Sequence, residues 1–230
     1  MSIKSKSLYD KIKRNRPYFE SFITRSIYHS NAIEGNTMSY ADTYAIIFND
    51  NSIKITAQPR EIYEAVNLKY AFNYVLRNID TDLTLGFIKK LGVTINKNIN
   101  DIDNFRTTQV YIRGAEHIPP SPVEVPRLLS ELIYKGGKEQ NEDLFRYIAR
   151  FHIEFERIHP FVDGNGRTGR LLITKELLSR GKPPIVIPID YRSQYMTLLA
   201  SQDVEGLAKL FTQLNDYELE QMDKYGIKLV

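Results

Sequence analysis

The 230-residue sequence predicts an all-α fold that carries one short β-hairpin flap. Apolar residues recur at helical spacing along most of the chain. The segment 104–122 breaks that spacing, because it combines β-branched and aromatic residues with several prolines. Hydrophobic residues make up 42% of the chain and charged residues 26%, which is ordinary for a globular protein and excludes a wholly disordered chain.

Composition narrows the function classes. There is no cysteine, which excludes a disulfide scaffold, a thiol nucleophile and a Cys-ligated zinc site. The net charge of +3 does not indicate nucleic-acid binding. The basic, polar N-terminus has no apolar run behind it and does not resemble a signal peptide. No stretch approaches the roughly 18 continuous apolar residues of a membrane span, so we expect a cytoplasmic protein.

The helices follow from apolar periodicity. The first covers residues 17–34, with Pro17 in its first turn and Gly35 just past its end. The remaining helices are predicted over residues 39–48, 59–76, 84–99, 122–135, 142–158, 166–180, 192–201 and 204–224. Residues 49–59 are predicted as a loop, and Pro183–Pro188 is too short and proline-bound for a central strand.

The segment 104–122 is predicted as an exposed hairpin, the flap. Its β-like residues are Val110, Tyr111 and Ile112, and Gly114 supplies the turn. An extended edge could pair with the backbone of a target protein, which requires little sequence recognition. The alternative is a structural hairpin that closes the helical core. His117 is equally well interpreted as a surface residue.

The most informative stretch is HPFVDGNGRTGR, residues 159–170, which lies between two predicted helices. Gly164 and Gly166 allow positive φ and close approach of a ligand. A Gly-rich turn that enters a helix N-terminus is an anion site, because free amides and the positive end of the helix dipole face the ligand. Arg167 and Arg170 suit phosphate. For the DGNG turn alone, a plain helix-linking turn would be the better interpretation.

The stretch adds two further groups. Asp163 is an oxygen ligand for Mg²⁺, which phosphate sites usually share with their substrate. His159 supplies a titratable imidazole at the edge of the preceding helix.

This stretch resembles the signature of the Fic family, His-Pro-Phe-x-Asp/Glu-Gly-Asn-Gly/Lys-Arg-x-x-Arg, and matches every fixed position. FRTTQVYIRGAEHIPPSP is similar to the family's flap, and KPPIVIPIDYRSQY to the segment after the motif helix. The resemblance covers about residues 60–215. We therefore divide the chain into an N-terminal helical extension, residues 1–58, and a catalytic domain, residues 59–230. The resemblance implies an all-α core and transfer of AMP from ATP to a Ser, Thr or Tyr hydroxyl of a target protein.

The resemblance also implies residue roles. His159 would take the proton from the attacking hydroxyl, and Asp163 would bind Mg²⁺. Arg167 would stabilise the pyrophosphate side, and Arg170 would meet the γ-phosphate. The nucleotide-binding residues would be Gly164, Asn165, Gly166, Arg167, Thr168, Gly169, Arg170, Tyr195, Met196 and Gly114. For Tyr195 and Met196, ordinary helix packing is a serious alternative.

The segment Ser30–Asn36, SNAIEGN, resembles a second family pattern, Ser/Thr-x-x-x-Glu-Gly/Asn. Ser30 and Glu34 are four residues apart and share a helix face. Glu34 lies in the last predicted turn, where the helix dipole disfavours a carboxylate by about half a kcal/mol. The resemblance implies that Glu34 pairs with Arg170 and inhibits the enzyme by occupying the γ-phosphate site. The alternative is a solvated glutamate at a helix end.

Other functions stay open at this point. One is transfer of a different nucleotide or of phosphocholine, or removal of AMP with Glu34 orienting water. Another is a non-enzymatic, nucleotide-responsive regulator or DNA-binding partner, which the absence of a basic stripe disfavours. We expect neither membrane nor nucleic acid as a partner. Self-modification and a homo-oligomer are left open.

Overall fold

The computed structural model describes residues 3–48, 55–112, 116–138 and 143–228, and these ranges contain ten α-helices and no strand. The prediction of an all-α fold is therefore confirmed. The helices are α1 (Ile3–Arg14), α2 (Arg16–Ile33), α3 (Tyr40–Phe48), α4 (Pro59–Arg77), α5 (Leu85–Asn96), α6 (Val125–Lys138), α7 (Leu144–Ile158), α8 (Asn165–Ser179), α9 (Arg192–Ala200) and α10 (Val204–Lys224).

All nine predicted helices are present, with ends shifted by at most three residues. The sequence did not predict α1, because this basic segment offers little apolar periodicity; Leu8 and Ile12, one turn apart, are its buried apolar anchors. Residues 49–54 of the predicted loop lie outside the described residues. None of the helices in the described ranges combines the length and the apolar character that crossing a bilayer requires.

Helix α8 lies in the centre of the fold, with α1, α2, α4, α5 and α7 packed around it. Its residues from Arg167 to Leu178 are all buried, which is the pattern of a helix enclosed on every side. Polar side chains on α8 must therefore find partners inside the protein. Lys175 does so by donating to the carbonyl oxygens of Asn78, Ile79 and Thr81, which follow the end of α4.

Helix α2 is fixed at one end by a buried ion-pair network with α10. Glu218 on α10 accepts two hydrogen bonds from Arg25, at 2.7 and 2.8 Å, and one from the Tyr18 hydroxyl at 2.7 Å. The other end of α2 reaches α8. Apolar side chains of α2 share one continuous core with those of α4 and α8. The division at residue 58 stays a prediction.

The flap differs from the predicted hairpin. Residues 104–112 and 116–121 contain no strand, and side-chain bonds replace the ladder between the two arms. Buried Arg106 donates to the carbonyl oxygens of Thr108 and Pro120, and Gln109 donates to that of Pro119. Strands do not form here because the prolines of this segment have no N–H group to donate to a partner strand. Residues 113–115, and with them Gly114, lie outside the described residues.

Glu218→Ala is predicted to lower the free energy of unfolding by about 3 kcal/mol, because it leaves the Arg25 charge and the Tyr18 hydroxyl without their acceptor. Urea denaturation measures this loss. Glu220→Ala is the matched control, since Glu220 is exposed on the same helix and should change stability by less than about 0.5 kcal/mol. Equal effects of both substitutions would contradict a stabilising network at Glu218.

Candidate active site

The loop between α7 and α8 is shaped by two left-handed residues. His159 caps the end of α7 with φ of +50°, and Pro160 prevents further helix. Gly164 precedes α8 with φ of +78°, a conformation that favours glycine. Gly166, in contrast, is helical, so the expectation of positive φ at this residue was wrong. Gly166 lies so close to the Glu34 carboxylate and the Arg170 guanidinium that a Cβ there would require these side chains to shift.

Polar contacts hold the loop in place. The Asn165 side chain accepts from the amide of Phe161 and donates to its carbonyl oxygen, both at 2.9 Å. Asn96 on α5 donates to the carbonyl oxygen of Asp163 at 3.0 Å. In this structure the Asn165 side chain therefore braces the loop, and its polar atoms do not face outward. The Thr168 hydroxyl likewise bonds within the structure, to the Gly164 carbonyl oxygen.

The hydrogen bonds of His159 fix its tautomer. Nδ1 lies 3.2 Å from the carbonyl oxygen of Glu156, and because a carbonyl only accepts, Nδ1 carries the hydrogen. The neutral ring then has its lone pair on Nε2. Burial lowers the pKa of His159 below 6.5, and the Arg106 charge lowers it further. Nε2 is therefore an unprotonated base near pH 7.

The first turn of α8 is a cationic, amide-rich site. Arg167 is buried, and within the described residues its Nε and Nη1 atoms have no hydrogen-bond partner. Its Nη2 lies 3.1 Å from Asp163 Oδ1. Buried donors without an acceptor are costly, which indicates a site built for an anionic ligand. Together with the free amides of a helix N-terminus, these donors suit phosphate oxygens.

Asp163 is the acidic residue of the loop, and its side chain is 30% exposed. Oδ2 accepts from Arg60 at 2.7 Å, and Oδ1 accepts from Arg167 and from the Gly164 amide. The described residues contain no group of three acidic or histidine side chains able to hold a metal by themselves. A single carboxylate fits Mg²⁺, which commonly takes its other ligands from water and from substrate phosphates.

Glu34 and Ser30 reach α8 from the end of α2. Arg170 Nη2 donates to Glu34 Oε1 at 2.7 Å and to the Ser30 carbonyl oxygen at 2.9 Å, and its Nε donates to the Ser30 hydroxyl at 2.9 Å. Glu34 is the residue that caps α2, and Gly35 follows with φ of +97°. Burial by itself lowers the pKa of Arg170, but the charge and hydrogen bond of Glu34, together with the charges of Tyr195 and Glu156, raise it above its ordinary value. The Glu34 carboxylate thus covers Gly166, in the first turn of α8.

Tyr195 lies in a buried polar cluster behind Arg170. Its hydroxyl is 2.6 Å from His152 Nε2, and the two rings stack. Burial raises the pKa of Glu156 to about 8 and lowers that of His152 to about 3, so both groups are neutral at pH 7. Gly169 packs against Glu156 and His152 and has no room for a side chain.

The remaining predicted residues are more exposed. Met196 is partly buried against the core, next to Tyr195 in the sequence. In the flap, the Tyr111 side chain is 75% exposed, and Val110 and Ile112 are partly exposed. Tyr111 is thus available to a partner protein, whereas Tyr195 is not.

Sequence reasoning missed three polar residues that shape the site. Arg106 on the flap donates to the His159 carbonyl oxygen at 2.8 Å and so holds the base in place. Arg60 and Glu64 on α4 contact Asp163 and Arg167, respectively. The four-residue spacing of Arg60 and Glu64 indicates a mutual ion pair on one helix face, but nothing in it points to the loop.

A profile of the Fic/DOC family matches residues 82–177. The chain is similar to proteins named "Protein adenylyltransferase Fic". The one from Drosophila grimshawi is 34% identical over 206 residues, 86% of this chain and 42% of the relative. The one from Drosophila mojavensis is 36% identical over 206 residues, 86% of this chain and 40% of the relative. The chain therefore spans less than half the length of these relatives.

Solved structures share the fold. A Fic domain containing signaling protein from Bacteroides thetaiotaomicron has a TM-score of 0.83 at 22% identity, with 99% of this chain and 100% of that chain covered. A Fic family protein from Desulfovibrio desulfuricans has a TM-score of 0.75 at 23% identity, with 100% and 77% covered.

The pKa of His159 is predicted to lie below 6.5 in the folded protein, because burial and Arg106 disfavour the imidazolium. Two-dimensional NMR of the imidazole groups as a function of pH measures it, with His159→Gln for assignment. Nδ1 should carry the proton of the neutral ring. His152, whose pKa is lowered to about 3, should stay neutral over the same range and serves as an internal control. A midpoint of 6.5 or higher for His159 would contradict this account.

Proposed function

We propose that this chain, whose residues 82–177 match the Fic/DOC family, transfers AMP from ATP to a hydroxyl group of a target protein. The observation that carries this proposal is the position of His159, whose Nδ1 bonds to the Glu156 carbonyl oxygen and leaves the lone pair on Nε2, on the loop that leads into the anion site of α8. The names of the curated relatives support the same reaction.

In the proposed reaction, the target hydroxyl loses its proton to His159 Nε2 while its oxygen attacks the α-phosphorus of ATP. The bond from the α-phosphorus to the bridging oxygen breaks, and pyrophosphate leaves. Phosphoryl chemistry of this kind depends mainly on positioning and charge stabilisation. Arg167 would bind the leaving pyrophosphate with its Nε and Nη1, which make no hydrogen bond within the described residues, and the amides of the first α8 turn would orient the phosphates.

Asp163 would hold Mg²⁺, and a cation there would supply positive charge that stabilises the phosphates. The flap would guide the target: an extended segment near Val110, Tyr111 and Ile112 could pair with its backbone. This pairing mode reads little sequence, so it does not select one hydroxyl-bearing residue type. Self-modification would follow by the same route.

We further propose that Glu34 inhibits the enzyme. Arg170 is nearly fully buried, so it needs a counter-charge whether or not nucleotide is bound. Glu34 supplies that charge at 2.7 Å, and a γ-phosphate would have to replace it. While Glu34 stays, the triphosphate cannot settle against Arg170, and its α-phosphate is not aligned for in-line attack. The Glu34 side chain is 34% exposed, so it can move from Arg170 into water without carrying its charge through the protein interior.

His159→Ala is predicted to lower AMP transfer by about 10²- to 10⁴-fold, since it removes the general base. Label incorporation from α-labelled ATP measures the rate. ATP should still raise the thermal unfolding temperature of the variant as it does that of wild type, because Nε2 contacts the hydroxyl and not the phosphates. Normal transfer by His159→Ala would exclude the base assignment.

Glu34→Gln is predicted to raise AMP transfer by about 100-fold while ATP affinity changes little, because a misalignment of about 1 Å costs on that order. Arg170→Ala in the same background should remove much of the gain, since both changes act through one contact. Initial rates over a series of ATP concentrations measure both effects. Glu20→Gln is the matched control, as Glu20 is also on α2 but pairs with Arg16, away from α8. Equal rates for wild type and Glu34→Gln would disprove the inhibition.

A further inference from the structure

Arg60 lies outside the loop sequence but forms an ion pair with its carboxylate. It is the second residue of α4, and its Nη2 donates to Asp163 Oδ2 at 2.7 Å. Asp163 Oδ1 accepts from the Gly164 amide at 2.6 Å and from Arg167 at 3.1 Å. Both oxygens of the carboxylate are therefore engaged by N–H groups.

Glu64, one turn along α4, tethers Arg60 in this position. Its Oε1 accepts from Arg60 Nε at 3.1 Å and lies 3.7 Å from Arg167 Nη1. Its Oε2 accepts from the Asn36 side chain at 2.9 Å. Glu64 is buried, so its orientation is set by packing as well as by these bonds. The Arg60 guanidinium is thus held between two carboxylates, those of Glu64 and Asp163.

The two arginines at Asp163 differ in freedom. The Arg167 side chain is 3% exposed and cannot leave, whereas the Arg60 side chain is 61% exposed and can turn into water. A cation that binds Asp163 needs an oxygen lone pair and is repelled by a guanidinium at the same oxygen. A cation at Oδ2 is therefore favoured when Arg60 moves away.

We propose that Arg60 is an internal counter-ion of Asp163 that competes with a divalent cation for Oδ2. This inference rests on the proposed function, in which Asp163 holds Mg²⁺. Arg60 neutralises the loop carboxylate in the metal-free protein, and the cation displaces it. Because Glu64 retains the Arg60 Nε, the displaced guanidinium stays close to the site and can return when the cation leaves.

The competition has a predictable size and sign. An exposed ion pair contributes about 0.2–1 kcal/mol, so losing Arg60 should tighten divalent-cation binding by about 1.4- to 5-fold. The metal-free protein should also become less stable, because it loses the ion pair between Arg60 and Asp163. Arg60→Ala should therefore show a larger rise in unfolding temperature on adding the cation than wild type does.

The experiment titrates the full chain with Mn²⁺ and follows free Mn²⁺ by electron paramagnetic resonance, with and without ADP. Arg60→Ala is compared with Arg16→Ala, the matched control. Arg16 is also an exposed arginine in an i,i+4 pair with a glutamate, and its removal changes the net charge equally. Asp163→Ala defines binding elsewhere on the protein. We expect tighter binding for Arg60→Ala, wild-type affinity for Arg16→Ala, and loss of the site in Asp163→Ala.

The outcomes separate this inference from the proposed function. If Asp163→Ala abolishes binding and Arg60→Ala binds no more tightly than wild type, Arg60 does not compete and the inference is wrong. If Arg16→Ala tightens binding as much as Arg60→Ala, the effect is one of overall charge and the inference is again wrong. If Asp163→Ala binds as well as wild type, or if no variant binds Mn²⁺ even with ADP, the metal assignment in the proposed function fails as well.

Discussion

The complete burial of α8 is the constraint on which the site depends. This helix carries Arg167 and Arg170 into the interior, where a guanidinium without a counter-charge would be strongly destabilising. Asp163 in the loop pairs with Arg167, and Glu34 at the end of α2 pairs with Arg170. The loop and α2 are therefore tied to α8 by charge as well as by apolar packing. Their positions follow from the need to neutralise two buried cations.

The pairs also divide the site into fixed and movable groups. The arginines of α8 are buried, whereas Glu34, which pairs with Arg170, and Arg60, which pairs with Asp163, are 34% and 61% exposed. Ligands with phosphate and metal charges could thus replace the exposed partners while the arginines stay in place. In a site of this kind, a ligand replaces exposed counter-ions while the buried side chains stay in place. The free-energy cost of reorganising the site on ligand binding is therefore low.

The base is held by backbone contacts that no ligand has to complete. Arg106 donates to the His159 carbonyl oxygen, and the Glu156 carbonyl oxygen accepts from Nδ1. Asn165 closes the loop through both polar atoms of its side chain. The geometry at Nε2 is therefore set before a nucleotide arrives, and Arg106 connects the flap to the loop.

The sequence by itself determined nine of the ten helices in the described ranges, because apolar spacing is a local property that packing does not change. It also indicated the loop at residues 159–170, because the residue types of this loop occur at a specific spacing. It identified Gly35 as a helix-ending residue, which the positive φ explains. Helix α1 was missed because its apolar residues are too few to define a period.

Apart from the Glu34–Arg170 pair, which the family resemblance implied, only the tertiary structure decided which charges meet. Arg60 and Asp163 are 103 residues apart in the chain, and their contact depends on how α4 packs beside the loop. The same holds for the flap, where the sequence suggested strands but side-chain bonds from Arg106 to Pro120 and from Gln109 to Pro119 connect the arms. An ion pair or a buried donor takes its partner from whichever helix end packs against it. That choice is made by the assembled core, and no local pattern of residues encodes it.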